Sequence, residues 1–288
     1  MRSTAYYVAS ITFGVIEVNV FSVGDIVSRK SYGGDMPFVV TNVVKRENGN
    51  YLYTLKGLLF RVEADALHDD LVQHDRNEVL SRVYREVAQL SRSASVKSGV
   101  RMLPLFARLR TRLGRILHID SSSEFLDMCL RHYREAGIMA AGRVVKESEQ
   151  PNIVRGLLER LQPDILVLTG HDGLKKDAPA KSLESYTNSR FYIQSVKEAR
   201  QYQASKDKLC IFAGACQSYF EAIMAEGANF ASSPGRILIH ALDPGIVSEK
   251  IANTDTRVTV TPGEIAKLTV SGAKGIGGID TKGHKIKV

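Results

Sequence analysis

Hydrophobic and polar positions change their rhythm twice along this chain. From Phe21 to about Leu71, short apolar runs (FSVGDIV, MPFVVTNVVK, YLYTLKG, LLFRVEA) are separated by Gly-Gly-Asp and Asn-Gly turns. Alternation with such turns predicts antiparallel strands, and five short strands in this space suit a small SH3-like all-β barrel. Residues 75–95 then carry Val79, Leu80, Val83, Val87 and Leu90 at helical spacing.

From Gly114 the pattern becomes an alternation of β and α. GRILHID, AAGRVV, DILVLTG, KLCIFAGA and RILIHAL read as five strands. Between them lie helices SSEFLDMCLRHYREAG, PNIVRGLLERLQ, a long one at about 189–206, and QSYFEAIMAEGA. A Ser N-cap, Gly137 at a helix end and Pro151 at a helix start punctuate them. Short, continuously apolar strands are expected where helices cover both faces of a parallel sheet. The second unit is therefore expected to be a doubly wound α/β domain. The expected organisation is an extension at 1–20, the barrel at 21–73, a basic helical linker at 74–113, the α/β domain at 114–260 and a Gly/Lys-rich tail at 261–288. GIGG in that tail is no dinucleotide fingerprint, since no strand-to-helix turn surrounds it, and a loose terminus or overlying loop is expected.

Composition narrows the classes. The chain has 288 residues with no tryptophan, so its core is built from aliphatic side chains. A net charge of +8 would suit an acidic partner. Much of that excess lies in 101–115 (RMLPLFARLRTRLGR), which reads as a linker rather than a recognition surface, so nucleic acid is not the expected partner. The apolar run at 5–16 is too short to cross a bilayer and ends at Glu17 without a small-residue cleavage site, so no membrane association is expected. Three unevenly spaced cysteines form neither a disulfide framework nor a metal motif, so neither a metal nor another cofactor is expected.

Function in an open parallel sheet gathers at the carboxyl ends of its strands. Those ends carry Asp120-Ser121-Ser122, Gly170-His171-Asp172-Gly173 and Gly214-Ala215-Cys216-Gln217, with His240 and Asp243 further on. If the third and fourth strands are neighbours, His171 and Cys216 face one crevice. A thiol needs a base or a helix N-terminus to become a thiolate, and Cys216 would have both. Backbone N–H groups of Cys216 and of the Asp172-Gly173 turn are candidates for an oxyanion hole. Cys129, on an apolar helical stripe, and Cys210, mid-strand, are expected to be core.

Strand–His–turn followed by strand–Ala-Cys resembles the caspase-like (clan CD) peptidases, whose His precedes the Cys by about fifty residues. The match is partial, because Gly214 stands where metacaspases carry an acid. A closer resemblance is to the YabG sporulation-specific peptidases. It is carried by FSVGDIVSRKSYGGD at 21–35, GRILHIDSSSEFLDMCL at 114–130, KESEQP at 146–151, LTGHDG at 168–173, NSRFYIQSVKEAR at 188–200 and CIFAGACQSYFEAIMAEGANFASSP at 210–234. That resemblance implies a peptidase made in the mother cell that trims spore-coat and spore-surface precursors, with cleavage after Arg. A basic side chain in the pocket needs an acid, for which Asp172 and Asp243 are the candidates. Two other readings stay open: a glutamine-amidotransferase-like hydrolase using His240 as base, and a non-enzymatic coat- or nucleic-acid-binding protein.

Overall fold

The computed structural model describes residues 20–97 and 111–287. The N-terminal unit contains β1 (Ile26–Arg29), β2 (Pro37–Lys45), β3 (Tyr51–Gly57), β4 (Glu63–Leu67) and β5 (Leu71–His74), then α1 (Arg76–Lys97). Its strands form one antiparallel sheet in the order β4-β3-β2-β1-β5. Alternate residues Phe38, Val40, Tyr53 and Leu55 are fully buried, so the period-two pattern turns one face inward.

The chain continues through β6 (Thr111–Arg112), β7 (Ile116–Asp120), α2 (Ser123–Glu135), β8 (Ala140–Val144), α3 (Gln150–Leu161), β9 (Ile165–Leu168), α4 (Ser189–Tyr202) and β10 (Cys210–Ala213). There follow α5 (Phe220–Ala225), β11 (Phe230–Ser232), α6 (Asp243–Asn253), β12 (Thr259–Val260), α7 (Pro262–Leu268), α8 (Gly272–Gly275), β13 (Ile276–Gly278), β14 (Thr281–Lys282) and β15 (Ile286–Lys287). Six of these strands make a sheet in the order β13-β11-β10-β9-β7-β8, parallel except for β13 at the edge. The protein is thus mixed α/β, with one antiparallel and one largely parallel sheet.

Every residue of β7, β9 and β10 is buried, because helices lie on both faces. Strand alternation sorts the side chains. Leu117, Ile119, Leu166, Leu168 and Ile211 pack with Val154 and Leu158 of α3 and Tyr192 and Val196 of α4. Ile116, Ile165, Val167 and Phe212 face the other way, with Tyr133 of α2 and Val247 and Ile251 of α6. That second core runs on into Phe38, Val40, Tyr53 and Leu55 of the N-terminal sheet, so the two units share one interior. Ser122 caps α2, its Oγ accepting from the Phe125 N–H at 3.2 Å, and Gly137 takes the left-handed turn after it, as the sequence suggested.

Four expectations need correction. RILIHAL (236–242) is not a strand of the main sheet. The fifth parallel strand is the three-residue β11, and 236–242 meets the N-terminal unit instead, through a single bridge of His240 to Phe60. LLFRVEA is not one strand: Leu58–Val62 bulges out of the sheet, its base closed by the Gly57 N–H donating to the Val62 carbonyl at 3.0 Å, and only Glu63 begins β4. The helix after Cys216 starts at Phe220, not 217. Gln217 adopts a left-handed φ of 54°, and its N–H donates to the Ile237 carbonyl at 3.1 Å, which pulls the backbone out of a helical path. The glycine-rich tail is ordered: β13 pairs with β11, β14 with β12 and β15 with β6. The expected extension at 1–20 and the basic segment lie almost wholly outside the described residues. Among the described residues no helix is long and apolar enough to cross a membrane.

Glycine lets the tail dock. A Cβ on Gly278 would meet the Asn229 carbonyl at 2.5 Å and collide with the Phe230 ring, whereas one on Gly263 meets only Thr261 Oγ1 at 3.9 Å. Gly278→Ala is therefore expected to lower the unfolding free energy by about 1–3 kcal/mol. Gly263→Ala, inside α7, should raise stability by up to about 1 kcal/mol. Urea titration of both variants checks the contrast.

Candidate active site at the strand ends

Leu168 of β9 pairs in register with Ala213 of β10, and His171 and Cys216 each stand three residues beyond that pair. The two residues singled out by sequence thus emerge from adjacent strands at equal offset. No direct hydrogen bond joins the His171 ring to the Cys216 sulfur among the described residues.

Cys216 is fully buried. Its Sγ accepts from the Ile239 N–H at 3.1 Å and lies 3.8 Å from the Ile239 carbonyl, and it also faces the Arg61 backbone N–H. Burial pushes its thiol up to about 12, outweighing those donors. Cys129 and Cys210 are buried too, as expected of core thiols.

His171 is held from behind. Ser121 Oγ donates to Glu147 Oε1 at 2.5 Å and sits 3.2 Å from His171 Nδ1, with Glu147 Oε1 3.7 Å from the same nitrogen. The His171 backbone N–H also donates to Glu147 Oε1, at 2.7 Å. With the Ser121 hydrogen directed at Glu147, Ser121 Oγ is left to accept from His171 Nδ1. Burial opposes the charge on Glu147, but the His171 and Ser121 hydrogen bonds together hold its carboxyl below the usual range. Sequence reasoning did not assign Glu147 or Ser121; a carboxylate inside the quoted KESEQP segment was the available signal.

Asp172, the sequence candidate beside His171, accepts from the Gly173 N–H (2.9 Å), the Asn188 N–H (2.7 Å), Ser189 Oγ (2.5 Å) and Ser218 Oγ (2.8 Å). Burial nevertheless raises its pKa. Its carboxylate ties the turn after β9 to the start of α4 and to the turn after Cys216, and it commits the Gly173 N–H as well. Asp243, also raised by burial, caps the backbone N–H groups of Val270 (2.7 Å) and Ser271 (3.1 Å). His240 stands edge-on to Phe60, its Nδ1 accepting from the Leu242 N–H at 3.2 Å. Burial drives its pKa down to about 4, so it stays neutral.

The acid that does hold a basic side chain is Asp120, at the end of β7. Arg61, wholly buried, donates from Nη1 to Asp120 Oδ2 at 2.5 Å and from Nη2 to the Ala241 carbonyl at 2.9 Å. Its guanidinium lies 5.0 Å from the Phe125 ring centroid, and the same ring packs against His171 at 5.6 Å. Asp120 is further fixed by the Ser122 N–H (2.9 Å) and by Thr169 Oγ1 (2.7 Å). Burial resists its ionisation, yet Arg61 and His118 beside it hold its carboxyl far below the ordinary range. The sequence placed Asp120 at a strand end without giving it a role. His118 and Asp120, alternate residues facing one side of a buried strand, were the missed signal.

Alongside His171, Asp172 and Gly173, a cavity of about 190 Å³ is bounded by Asn188 and by Glu63–Asp65 of β4. A larger hollow of about 450 Å³ lies between α1 and α2, away from these groups. Among the described residues no group of three or more His, Cys, Asp or Glu could hold a metal ion.

The family model described as "YabG peptidase U57" matches residues 22–287. The chain belongs to this family. Sporulation-specific protease YabG of Bacillus subtilis (strain 168) is 34% identical over 277 residues, covering 91% of this chain and 96% of that protein. Membership makes the chain a peptidase of a sporulation protease family. Among solved structures, the A domain of the carboxylic acid reductase from Segniliparus rugosus, in complex with AMP and a co-purified carboxylic acid, aligns with 80% of this chain. It does so at 12% identity and a TM-score of 0.32, too low to carry an argument, and the chain spans only 28% of that protein.

Two outcomes follow from this geometry. Glu147→Gln keeps an accepting oxygen for Ser121 and the His171 N–H but removes the negative charge beside the His171 ring, and should lower peptidase kcat/KM by at least about tenfold. Asp120→Asn leaves the buried Arg61 charge unpaired and should cost about 3–5 kcal/mol at neutral pH. Asp120 has a folded pKa below its unfolded one, so its contribution is complete above about pH 4 and declines as pH falls below that value. The gap between wild type and Asp120→Asn should therefore narrow on acidification, which denaturant titrations at a series of pH values would read.

Proposed function

We infer that the chain is a cysteine endopeptidase that cuts after arginine, with Cys216 as nucleophile, His171 as general base and Asp120 as the acid of the specificity pocket. The observation that carries this reading is the buried guanidinium of Arg61 on Asp120, its backbone hydrogen-bonded beside Cys216. An arginine side chain held on a buried carboxylate, with its backbone N–H beside a buried thiol, supports a pocket for the arginine that precedes a scissile bond. The His171 Nε2 takes the thiol proton, the thiolate adds to the arginine's own carbonyl, and the C–N bond breaks as His171 returns the proton to the leaving amine, which leaves the thioester. Water, deprotonated by the same histidine, then hydrolyses the thioester. The backbone N–H groups of Cys216 and Asp172 are the proposed donors to the oxyanion. Asp172 and Asp243 act here as structural carboxylates rather than as the pocket acid sought in the sequence.

Spore-coat and spore-surface precursor proteins are the proposed substrates, met in the mother-cell cytoplasm at the forming coat. The sporulation-specific character of the Bacillus subtilis relative supports this setting.

The test is hydrolysis of fluorogenic peptides carrying Arg, Lys or citrulline before the reporter. Cys216→Ala should be inactive, and His171→Ala should lose about 10²–10⁴-fold. Citrulline, isosteric but uncharged, should be rejected by about tenfold or more, as expected from the loss of a charge-assisted pair. Activity surviving in Cys216→Ala would overturn the assignment.

A further inference from the structure

The N-terminal unit places Leu59–Val62 in the crevice between the β9 and β10 loops on one side and residues 239–241 on the other. The Arg61 N–H donates to the Ile239 carbonyl at 3.0 Å, and the Ala241 N–H donates to the Leu59 carbonyl at 2.8 Å. Phe60 thereby pairs antiparallel with His240, while Val62 pairs in parallel with Asp172. This is a peptide bound as an added strand, the general way in which an extended ligand satisfies its backbone. Its side chains reach into places built around them: Arg61 onto Asp120, Phe125 and the Ala241 carbonyl, and Leu59 into an apolar cluster with Met128 and Leu242.

We propose that Leu59–Val62 is an internal, substrate-like strand that fills the peptidase cleft and keeps external substrate out until the N-terminal unit withdraws. This rests on the cysteine-peptidase reading above and deepens it. The cleft takes an extended segment with an arginine and, two residues before it, an aliphatic side chain, and the chain supplies such a segment itself.

Three further observations agree. Cys216 is fully buried, a poor state for a nucleophile that must meet external protein, and Arg61 is one of its nearest backbone neighbours. Arg61 Nε has no hydrogen-bond partner in its buried setting, so the guanidinium is held through its terminal nitrogens alone. The loop is closed at its base by Gly57 and Val62, so it enters the cleft as a preformed protrusion. A Cβ on Gly57 would meet the Phe60 carbonyl at 2.5 Å, so glycine permits that closure.

The probe is a peptidyl-arginyl chloromethyl ketone, whose alkylation of Cys216 is located by mass spectrometry of the full chain. Arg61→Ala, which empties the pocket, should be labelled at Cys216 at least tenfold faster than wild type. Equal rates in a folded Arg61→Ala protein would overturn the internal strand and leave the peptidase reading standing. Absence of labelling in both proteins would overturn the peptidase reading, and the strand with it. Because Arg61→Ala leaves Asp120 unpaired and could unfold, hydrogen exchange on the wild-type protein gives a second measurement. After labelling, the Arg61 amide should lose protection while the Ala241 amide keeps it, since the inhibitor takes over the Leu59 hydrogen bond. Unchanged protection at Arg61 in the labelled protein would sink the proposal.

Discussion

Arg61 and Asp120 are both removed from water, and most of the architecture around the strand ends answers to that pair. Two charges buried together are tolerated only when their remaining donors and acceptors are met. Asp120 finds the Ser122 N–H and the Thr169 hydroxyl; Arg61 finds the Ala241 carbonyl and the face of Phe125. Together these contacts tie in three parts of the fold: α2 with its N-cap, the end of β9 and the segment before α6. The ion pair therefore fixes how the antiparallel unit sits on the parallel sheet, with the shared hydrophobic interior supplying the bulk of the adhesion. An aliphatic residue at position 61 could bury as well, but it could not select one orientation against a carboxylate at a strand end.

How much of this was legible in the sequence follows from what each residue had to reveal. Fully buried strands such as β7, β9 and β10 announce themselves as apolar runs, and helix ends announce themselves through Ser122 and Gly137. The order of β9 beside β10 then brings His171 and Cys216 to one edge, as strand-end reasoning expected. Partner choice is another matter. RILIHAL is as apolar as any strand, yet hydrophobicity does not say what an extended segment will pair with, and its partner is the bulge carrying Arg61. The true fifth strand, β11, is three residues long and too short to show a period. The β13 edge was hidden because its glycines read as looseness, when Phe220 and Phe230 crowd that edge and leave room for nothing larger.

Asp120, the acid proposed for the pocket, was not singled out in the sequence for a related reason. Asp172 stood next to His171 in the chain, and proximity in sequence favoured it. A carboxylate, however, is defined by its donors, and Asp172 is already saturated by two backbone N–H groups and two serine hydroxyls. Asp120 is 51 residues away from His171 in the chain and near it only through Phe125 and Ser121. Its role depends on an arginine from a different unit, a pairing that no local pattern encodes.

An internal occupant of a cleft competes by effective concentration rather than by affinity alone. A tethered segment presents itself at an effective concentration in the millimolar range, so a free peptide of equal intrinsic affinity would rarely displace it. The apparent affinity for external substrate falls by the fraction of molecules whose cleft is open. Here the closed state is reinforced beyond the strand itself, because withdrawal of Arg61 also leaves Asp120 unpaired and uncovers the apolar cluster around Leu59 and Met128. An incoming arginine relieves the first of these costs and a neighbouring aliphatic residue part of the second. The proposed device therefore discriminates twice: against short ligands that offer the arginine alone, and against any ligand that meets the chain while its N-terminal unit remains docked. A surface that binds that unit more tightly when it is undocked would shift the balance toward the open state by its difference in affinity for the two, and by no more than that.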